Sequence, residues 1–484
     1  MMDNSQVRNT PKPSSFESQL RQLILKEEIN QPLVFRGIHE NWDPCTLSLD
    51  DWAKLFKEER LTVRYGKKRW NGLQPQWESE CGKVDLKWKE IIDWNNGEYE
   101  FLPEGGKKED IWIYYDYRYL PDVFHFGSTN NDKDRDFLKV ITFNENLKKK
   151  FCWSKLGFPE RNSDHSTLWI GSAGSYTPCH FDTYSCNLVC QVFGRKKWIL
   201  FPPKDTDHLL PTRIPYEESS VYSRINFGSQ KRLASHAADL EKCTPYQITL
   251  EAGDCMFLPQ KWWHYVQSED FSISVNTWIE LPGDHSVRLE EAILRSVTST
   301  VVSMTFPDAS KQILNPNEMD VADMSEMDLN ELLQAATSSY VESQRAKMLA
   351  PTTTLAPQRP PAIDNTISAA AGSQVISSTA SSDSSSMPPP LKKAKKRINL
   401  PDFLHFHRAS VNVLSPVDYQ SLFQCQDHEN DSIADTKQDE DANPPIVTRS
   451  PSYLEHLLNA IGHPIVLKTI SQQFLKNVTQ NPPK

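Results

Sequence analysis

Residues 177–203 read TPCHFDTYSCNLVCQVFGRKKWILFPP. Two runs in this stretch, CNLVCQVFG and KKWILFPP, are rich in β-branched and aromatic residues and bounded by Ser, Gly or Pro, so both read as short strands. His180 and Asp182 are separated by one residue. On an extended chain their side chains project from the same face, about 7 Å apart at Cα, a spacing that lets one imidazole and one carboxylate chelate a single ion. The same alternation puts Lys196, Trp198 and Leu200 on one face and Lys197, Ile199 and Phe201 on the other. One lysine is therefore expected inside and the other in solvent.

Outward from this stretch, QPLVFRGI, LTVRYG, DIWIYYDYRYL, STLWIGSAGS, YQITLEAGD, CMFLP and FSISVNTWIEL carry the same strand signals. From Leu168 to Leu281 they follow one another with little helix between. The expectation is a mainly β fold with flanking helices, an antiparallel double-sheet core of jelly-roll type. FESQLRQLILKEEI and SLDDWAKLF read as upstream amphipathic helices, and DHSVRLEEAILRSVTSTVVSM as a closing helix that either packs on the barrel or pairs two subunits in a homodimer. Along SISVNTWIE, Ile273, Val275 and Ile279 share one face and Ser274, Asn276 and Trp278 the other, as a strand with one polar, cavity-facing side requires.

Composition divides the chain. All 13 tryptophans and all but two of the 17 glycines precede residue 290, whereas residues 301–400 turn to Ser, Thr, Ala and Pro with almost no aromatic residues to offset the entropy of ordering. We expect an N-terminal part (1–105) of helices and strands packed on the core, a β core with its closing helix (106–300), and a disordered linker (301–400). The linker holds the basic cluster KKAKKR (392–397) and a short helix in MSEMDLNELLQAA. An acidic, mostly flexible segment with a short helical tail (401–484) would follow. The net charge of −10 argues against coating nucleic acid or anionic membrane. No apolar run approaches bilayer length, and the first residues lack a secretory leader pattern, so a cytoplasmic protein is expected, with a nuclear fraction if KKAKKR acts as an import signal. The nine cysteines are scattered without a CxxC pair. That disfavours a zinc ribbon or a disulfide framework, and Cys186 and Cys190 read as buried small hydrophobes.

A third candidate ligand is His264, near the end of GDCMFLPQKWWHYVQS. Two histidines and one carboxylate on neighbouring strands form the facial triad that binds non-haem Fe(II) with positions left open. A lone HxD arises by chance in a chain of this length. The conjunction of a strand-borne HxD, KKWILFPP, a GD turn and a strand ending in WWH carries the argument.

Over residues 110–290 these segments, in this order, resemble the JmjC branch of the cupin-fold Fe(II)- and 2-oxoglutarate-dependent oxygenases, whose core is a double-stranded β-helix. TPCHFD, KKWILFPP and WWHYV in particular resemble the small JmjC proteins similar to an asparaginyl hydroxylase. The resemblance implies Fe(II) on His180, Asp182 and His264, with O2 and the co-substrate 2-oxoglutarate bound there. It places the distal carboxylate of 2-oxoglutarate on Lys196 with help from Thr177, and amides near metal and co-substrate at Asn187 and Asn276. It implies hydroxylation of a protein side chain rather than demethylation, since no zinc-finger or histone-reading motif adjoins the core. An RNA-modifying variant and a catalytically silent interaction protein are the alternatives. The whole chain, including its long linker and helical tail, is similar to JmjC proteins that associate with small heat-shock proteins, which implies such a partner.

One departure stands out. Many relatives have a tyrosine three residues before an acidic or amide residue on an upstream strand, and counting back from Asp116 gives Ile113. Tyr114 or Tyr115 serves only after a one-residue slip, which turns a side chain to the other face. The remaining aromatics of the cluster (Trp112, Tyr117, Tyr119, Trp262 and Trp263) read mainly as core.

Overall fold

The apolar–polar alternation of the strand runs resolves into two antiparallel sheets with a cavity between them. In this computed structural model, residues 15–56, 58–101, 108–123, 151–305, 314, 325–349, 399–423 and 453–480 are described. Most of the linker, including KKAKKR, and the acidic run 426–445 lie outside the described residues.

The nine-stranded sheet runs in the order β15 (Val411–Val413), β1 (Leu33–Phe35), β12 (Cys255–Leu258), β7 (Cys186–Phe193), β14 (Ser272–Ile279), β5 (Thr167–Gly171), β4 (Ile111–Tyr119), β2 (Arg60–Lys67) and β3 (Gly82–Lys87). The six-stranded sheet runs β11 (Tyr246–Leu250), β8 (Lys196–Phe201), β13 (Trp263–Ser268), β6 (Tyr176–Asp182), β10 (Ser220–Ser223) and β9 (Pro211–Thr212). This is the double-sheet, jelly-roll architecture expected of a cupin core. The N-terminal strands β2 and β3 extend the same sheet through β4.

One face of the larger sheet is covered by the upstream helices. Ile273, Val275, Ile279 and Leu188 pack with Leu20, Leu23, Trp52 and Trp88 in one continuous core. The opposite face, through Asn187, Val189, Ser274, Asn276 and Trp278, lines the cavity. Between the sheets Val34, Val189, Trp198, Leu200, Met256 and Trp262 form a second apolar cluster.

Two register shifts set what faces the cavity. On β6, His180 pairs with His264 but Thr177 pairs with Val266, so three residue steps on one strand oppose two on the other. On β4, Tyr115 pairs with Ile170 and Arg118 with Leu168, again three steps against two, with Tyr117 at a φ of 54°. Each extra residue is a bulge that resets the alternation.

Described segments beyond the core pack on it. β15 adds to the edge of β1, and the helix Leu400–His407 buries Phe403 against Phe16 with ring centroids 5.6 Å apart. The closing helix, Asp284–Thr305, packs on Glu326–Leu349 and on Pro464–Gln480. Leu458 and Leu467 from the last two helices (Tyr453–Ile461 and Pro464–Gln480) are buried with Ile214, Tyr216, Leu294 and Val302. Other apolar side chains of the last two helices, Leu457, Ile465, Val466 and Ile470, remain exposed. Helix Glu326–Leu349 is also longer than the short helix expected at that point. Among the described residues no helix is long and apolar enough to cross a membrane.

Candidate functional site

The cavity between the sheets has a volume of about 460 Å³, within the range that holds a small ligand. His180 and Asp182 project into it from β6 and His264 from β13, where His264 sits directly opposite His180. Each offers one ligand atom, and the three atoms lie within 4.8 Å of one another. His180 Nε2 is 3.8 Å from Asp182 Oδ1.

The other polar atoms of the three side chains are already committed. His180 Nδ1 lies 2.8 Å from Pro178 O and His264 Nδ1 3.0 Å from Trp262 O, so each ring donates there and presents an unprotonated Nε2. Trp278 donates its indole N–H to Asp182 Oδ2 at 3.0 Å. Burial pushes both imidazoles below their ordinary range and the Asp182 carboxyl up. This donor set fits a divalent cation, which would supply the compensating charge.

Lys196 reaches the inner end of the cavity from β8 and is only 2% exposed. Its ammonium is 2.9 Å from Ser274 Oγ and 3.2 Å from Tyr114 Oη. Tyr114 Oη is in turn 3.5 Å from Thr177 Oγ1. Burial holds Lys196 down to about 7. The buried amine is thus held by two hydroxyls, with the Thr177 hydroxyl one contact further on. Lys197, expected in solvent, is buried as well at 8% exposure; on the same face of β8, Ile199 and Phe201 pack with Leu209, Leu233 and Leu240.

Of the two tyrosines beside position 113, Tyr114 faces the cavity. Ile113 points into the helix-covered core, while Tyr114 and Asp116, two residues apart on β4, face the cavity together. After the bulge, Tyr117 and Tyr119 do so too. Of the aromatic cluster, Trp112, Tyr115, Trp262 and Trp263 are core.

Asn276 accepts the Trp169 indole N–H at 2.8 Å and donates to Asn187 Oδ1 at 3.0 Å. Both amides line the cavity. Beside His180 the wall is acidic. Arg64 lies 2.5 Å from Asp116 and 3.5 Å from Glu78, and Tyr222 donates to Glu217 at 2.8 Å. Burial pushes Glu78 up to about 7 and Glu217 well above the carboxylate range.

All seven residues singled out from sequence (Thr177, His180, Asp182, Asn187, Lys196, His264 and Asn276) line this one cavity. Ser274 and Trp278, placed by their alternation on the cavity-facing side of β14 with Asn276 but given no role from sequence, line it too. Sequence reasoning passed over Trp169, Glu78, Glu217 and Tyr222, for which no local pattern gives a signal.

Two antiparallel sheets enclosing a His-x-Asp and a distant His define a protein of the cupin class. The model of the cupin-like domain matches residues 26–285, over half of the chain, and the chain belongs to that family. It is similar to HSPB1-associated protein 1 of Rattus norvegicus, 39% identical over 296 residues, covering 60% of this chain and 57% of that protein. The same protein of Homo sapiens is 37% identical over 298 residues, covering 60% and 56%. The Jumonji C domain-containing protein 5 of Drosophila melanogaster is 39% identical over 112 residues, 23% of this chain and 27% of that one. The chain thus spans little more than half the length of the HSPB1-associated proteins it matches.

Proposed function

We propose that this chain is an Fe(II)- and 2-oxoglutarate-dependent oxygenase that hydroxylates a protein side chain. The observation that carries the reading is the commitment of both Nδ1 atoms to main-chain carbonyls, which leaves two neutral Nε2 donors and one carboxylate oxygen converging on one point. His180, Asp182 and His264 would hold the ferrous ion. When bound, the ion and its co-substrate supply O2 activation, with 2-oxoglutarate converted to succinate and CO2 as the substrate C–H bond is hydroxylated. Lys196 pairs with the distal carboxylate of 2-oxoglutarate, and Tyr114, Thr177 and Ser274 fix its direction through their hydroxyls. Asn187 and Asn276 hold each other beside the metal position and present fixed dipoles to the co-substrate. Trp169, Tyr117 and Trp278 wall the cavity with apolar surface and exclude water from it.

The test is anaerobic, Fe(II)-dependent binding of 2-oxoglutarate by the full chain, wild type beside His180→Ala and Lys196→Ala, followed by admission of O2. Binding that needs both side chains, with slow release of succinate, is the expected result. Folded protein that binds nothing in a metal-dependent way would make the chain a cupin scaffold for partners instead.

The HSPB1-associated relatives favour a second, compatible role, association with a small heat-shock protein. Binding of such a protein equally by wild type and His180→Ala would place that surface outside the cavity. We place the protein in the cytoplasm with a nuclear fraction drawn by KKAKKR. Imaging a fusion with Lys392, Lys393, Lys395 and Lys396 changed to Gln checks the nuclear fraction.

A further inference from the structure

A second cluster of metal-ligating side chains lies away from the cavity, where β1 and the turn after it meet the helix-covered side of the larger sheet. Cys190 on β7 and Cys255 on β12 are direct cross-strand partners, and both are fully buried. His39 follows β1, is 0% exposed, and is tied to the end of the β11–β12 turn by its main-chain N–H on Gly253 O at 3.0 Å. Its Nδ1 lies 3.2 Å from Cys255 Sγ. The ligand atoms of His39, Cys190 and Cys255 all lie within 4.8 Å of one another. Cys45, in the turn Asp43–Thr46, brings a third sulfur: its Sγ is 3.8 Å from Gln191 O, the same carbonyl that Cys190 Sγ approaches at 3.7 Å.

We propose that His39, Cys190, Cys255 and Cys45 form a structural zinc site that fastens the β1 segment to the sheet carrying Asn187 and Asn276. Three thiolates and one imidazole are the donor set of closed, tetrahedral structural zinc, and their softness selects zinc over the hard cations. Zinc–sulfur bonds of about 2.3 Å put tetrahedral sulfurs roughly 3.8 Å apart, a spacing that the ligand atoms of His39, Cys190 and Cys255 approach and that Cys45 reaches by moving inward on its turn. Among the described residues the side-chain hydrogen bond of His39 is to the Cys255 thiol, so its Nδ1 already faces the sulfurs as a ligand would. Ligands at positions 39, 45, 190 and 255 have no paired spacing, so no sequence pattern announces them.

The test uses the full chain purified without chelator. Zinc content and zinc-edge X-ray absorption are measured on wild type, Asp182→Ala and Cys190→Ala, and Co(II) is titrated into metal-free protein. The expected result is one zinc with sulfur neighbours at about 2.3 Å in wild type and Asp182→Ala, loss of the sulfur signal in Cys190→Ala, and thiolate-to-cobalt charge-transfer absorption. The His180–Asp182–His264 set contains no sulfur and cannot produce either signature, so this outcome is separate from that of the oxygenase. Wild-type protein that holds no zinc, or zinc with only nitrogen and oxygen neighbours, overturns the proposal and leaves three thiols packed as small hydrophobes. The wild-type spectrum decides even if Cys190→Ala fails to fold.

Discussion

His180 and His264 are direct cross-strand partners on β6 and β13, with ring centroids 4.1 Å apart. Two imidazoles this close cannot both be charged in a buried site, and each is kept neutral with its Nε2 toward the other and toward Asp182. Replacing His180 by Ala leaves two donors on one side of the ion. Titration with Mn(II), followed by calorimetry, is expected to show metal uptake at this site lost in that variant while its far-ultraviolet circular dichroism stays that of wild type.

Trp278 touches the metal position only through Asp182 Oδ2. Trp278→Phe keeps an aromatic wall and removes the hydrogen bond that orients the carboxylate. Metal affinity should fall by roughly 10- to 100-fold, the usual cost of losing such an outer partner. An unchanged Mn(II) dissociation constant would show that Asp182 is held by its strand alone.

Tyr114→Phe and Tyr115→Phe test the register of β4. Tyr114 places its hydroxyl 3.2 Å from Lys196 Nζ, whereas Tyr115 packs in the helix-covered core. Loss of one hydrogen bond to a charged site is worth about 1.5–3 kcal/mol, so 2-oxoglutarate binding by Tyr114→Phe should weaken by about 10- to 100-fold. Tyr115→Phe should bind as wild type does.

Lys196 makes binding depend on pH. Its pKa is about 7 in the folded protein, and pairing with a dicarboxylate raises it. Affinity for 2-oxoglutarate should therefore fall as pH rises above about 7, approaching tenfold per pH unit. Stability of the ligand-free chain runs the other way. The unfolded lysine titrates near ~10.4, so between pH 7 and 10 the unfolded state binds more protons and Lys196 lets stability rise with pH, by up to about 1.4 kcal/mol per unit. Denaturant unfolding of wild type beside Lys196→Met across that window checks the sign, since the methionine variant lacks this contribution.

Leu467, 3% exposed, anchors the last helix beside Leu294 and Val302 of the closing helix. Leu467→Ala should cost about 2–5 kcal/mol locally, enough to open that contact. Hydrogen exchange along Pro464–Gln480 should then quicken, while protection of β6 and β13 stays as in wild type.

Much of the fold was legible because strand alternation is a local property. The faces of β14 and β8 follow from a period of two, and so does the pairing of His180 with Asp182. The alternation also identified Lys196 as one of two lysines, yet not that Lys197 would be covered too, because the second face of β8 is packed by later segments that bring Leu209, Leu233 and Leu240 against Ile199 and Phe201. Counting residues failed at Ile113, where the count back from Asp116 landed on the face opposite the cavity.

By itself, then, the sequence determined the two-sheet β core, the helices that cover it, and the identities of two histidines, one aspartate and one lysine whose types suit a metal and a dicarboxylate. Only the tertiary structure decided which side chains meet. Thr177 joins His180, and Tyr117 joins Tyr114, through bulges in β6 and β4, and a bulge is a mismatch between two strands that neither strand records alone. The same holds for His39 beside Cys255, and for Trp278 on Asp182, since these contacts exist only once distant segments pack into one core.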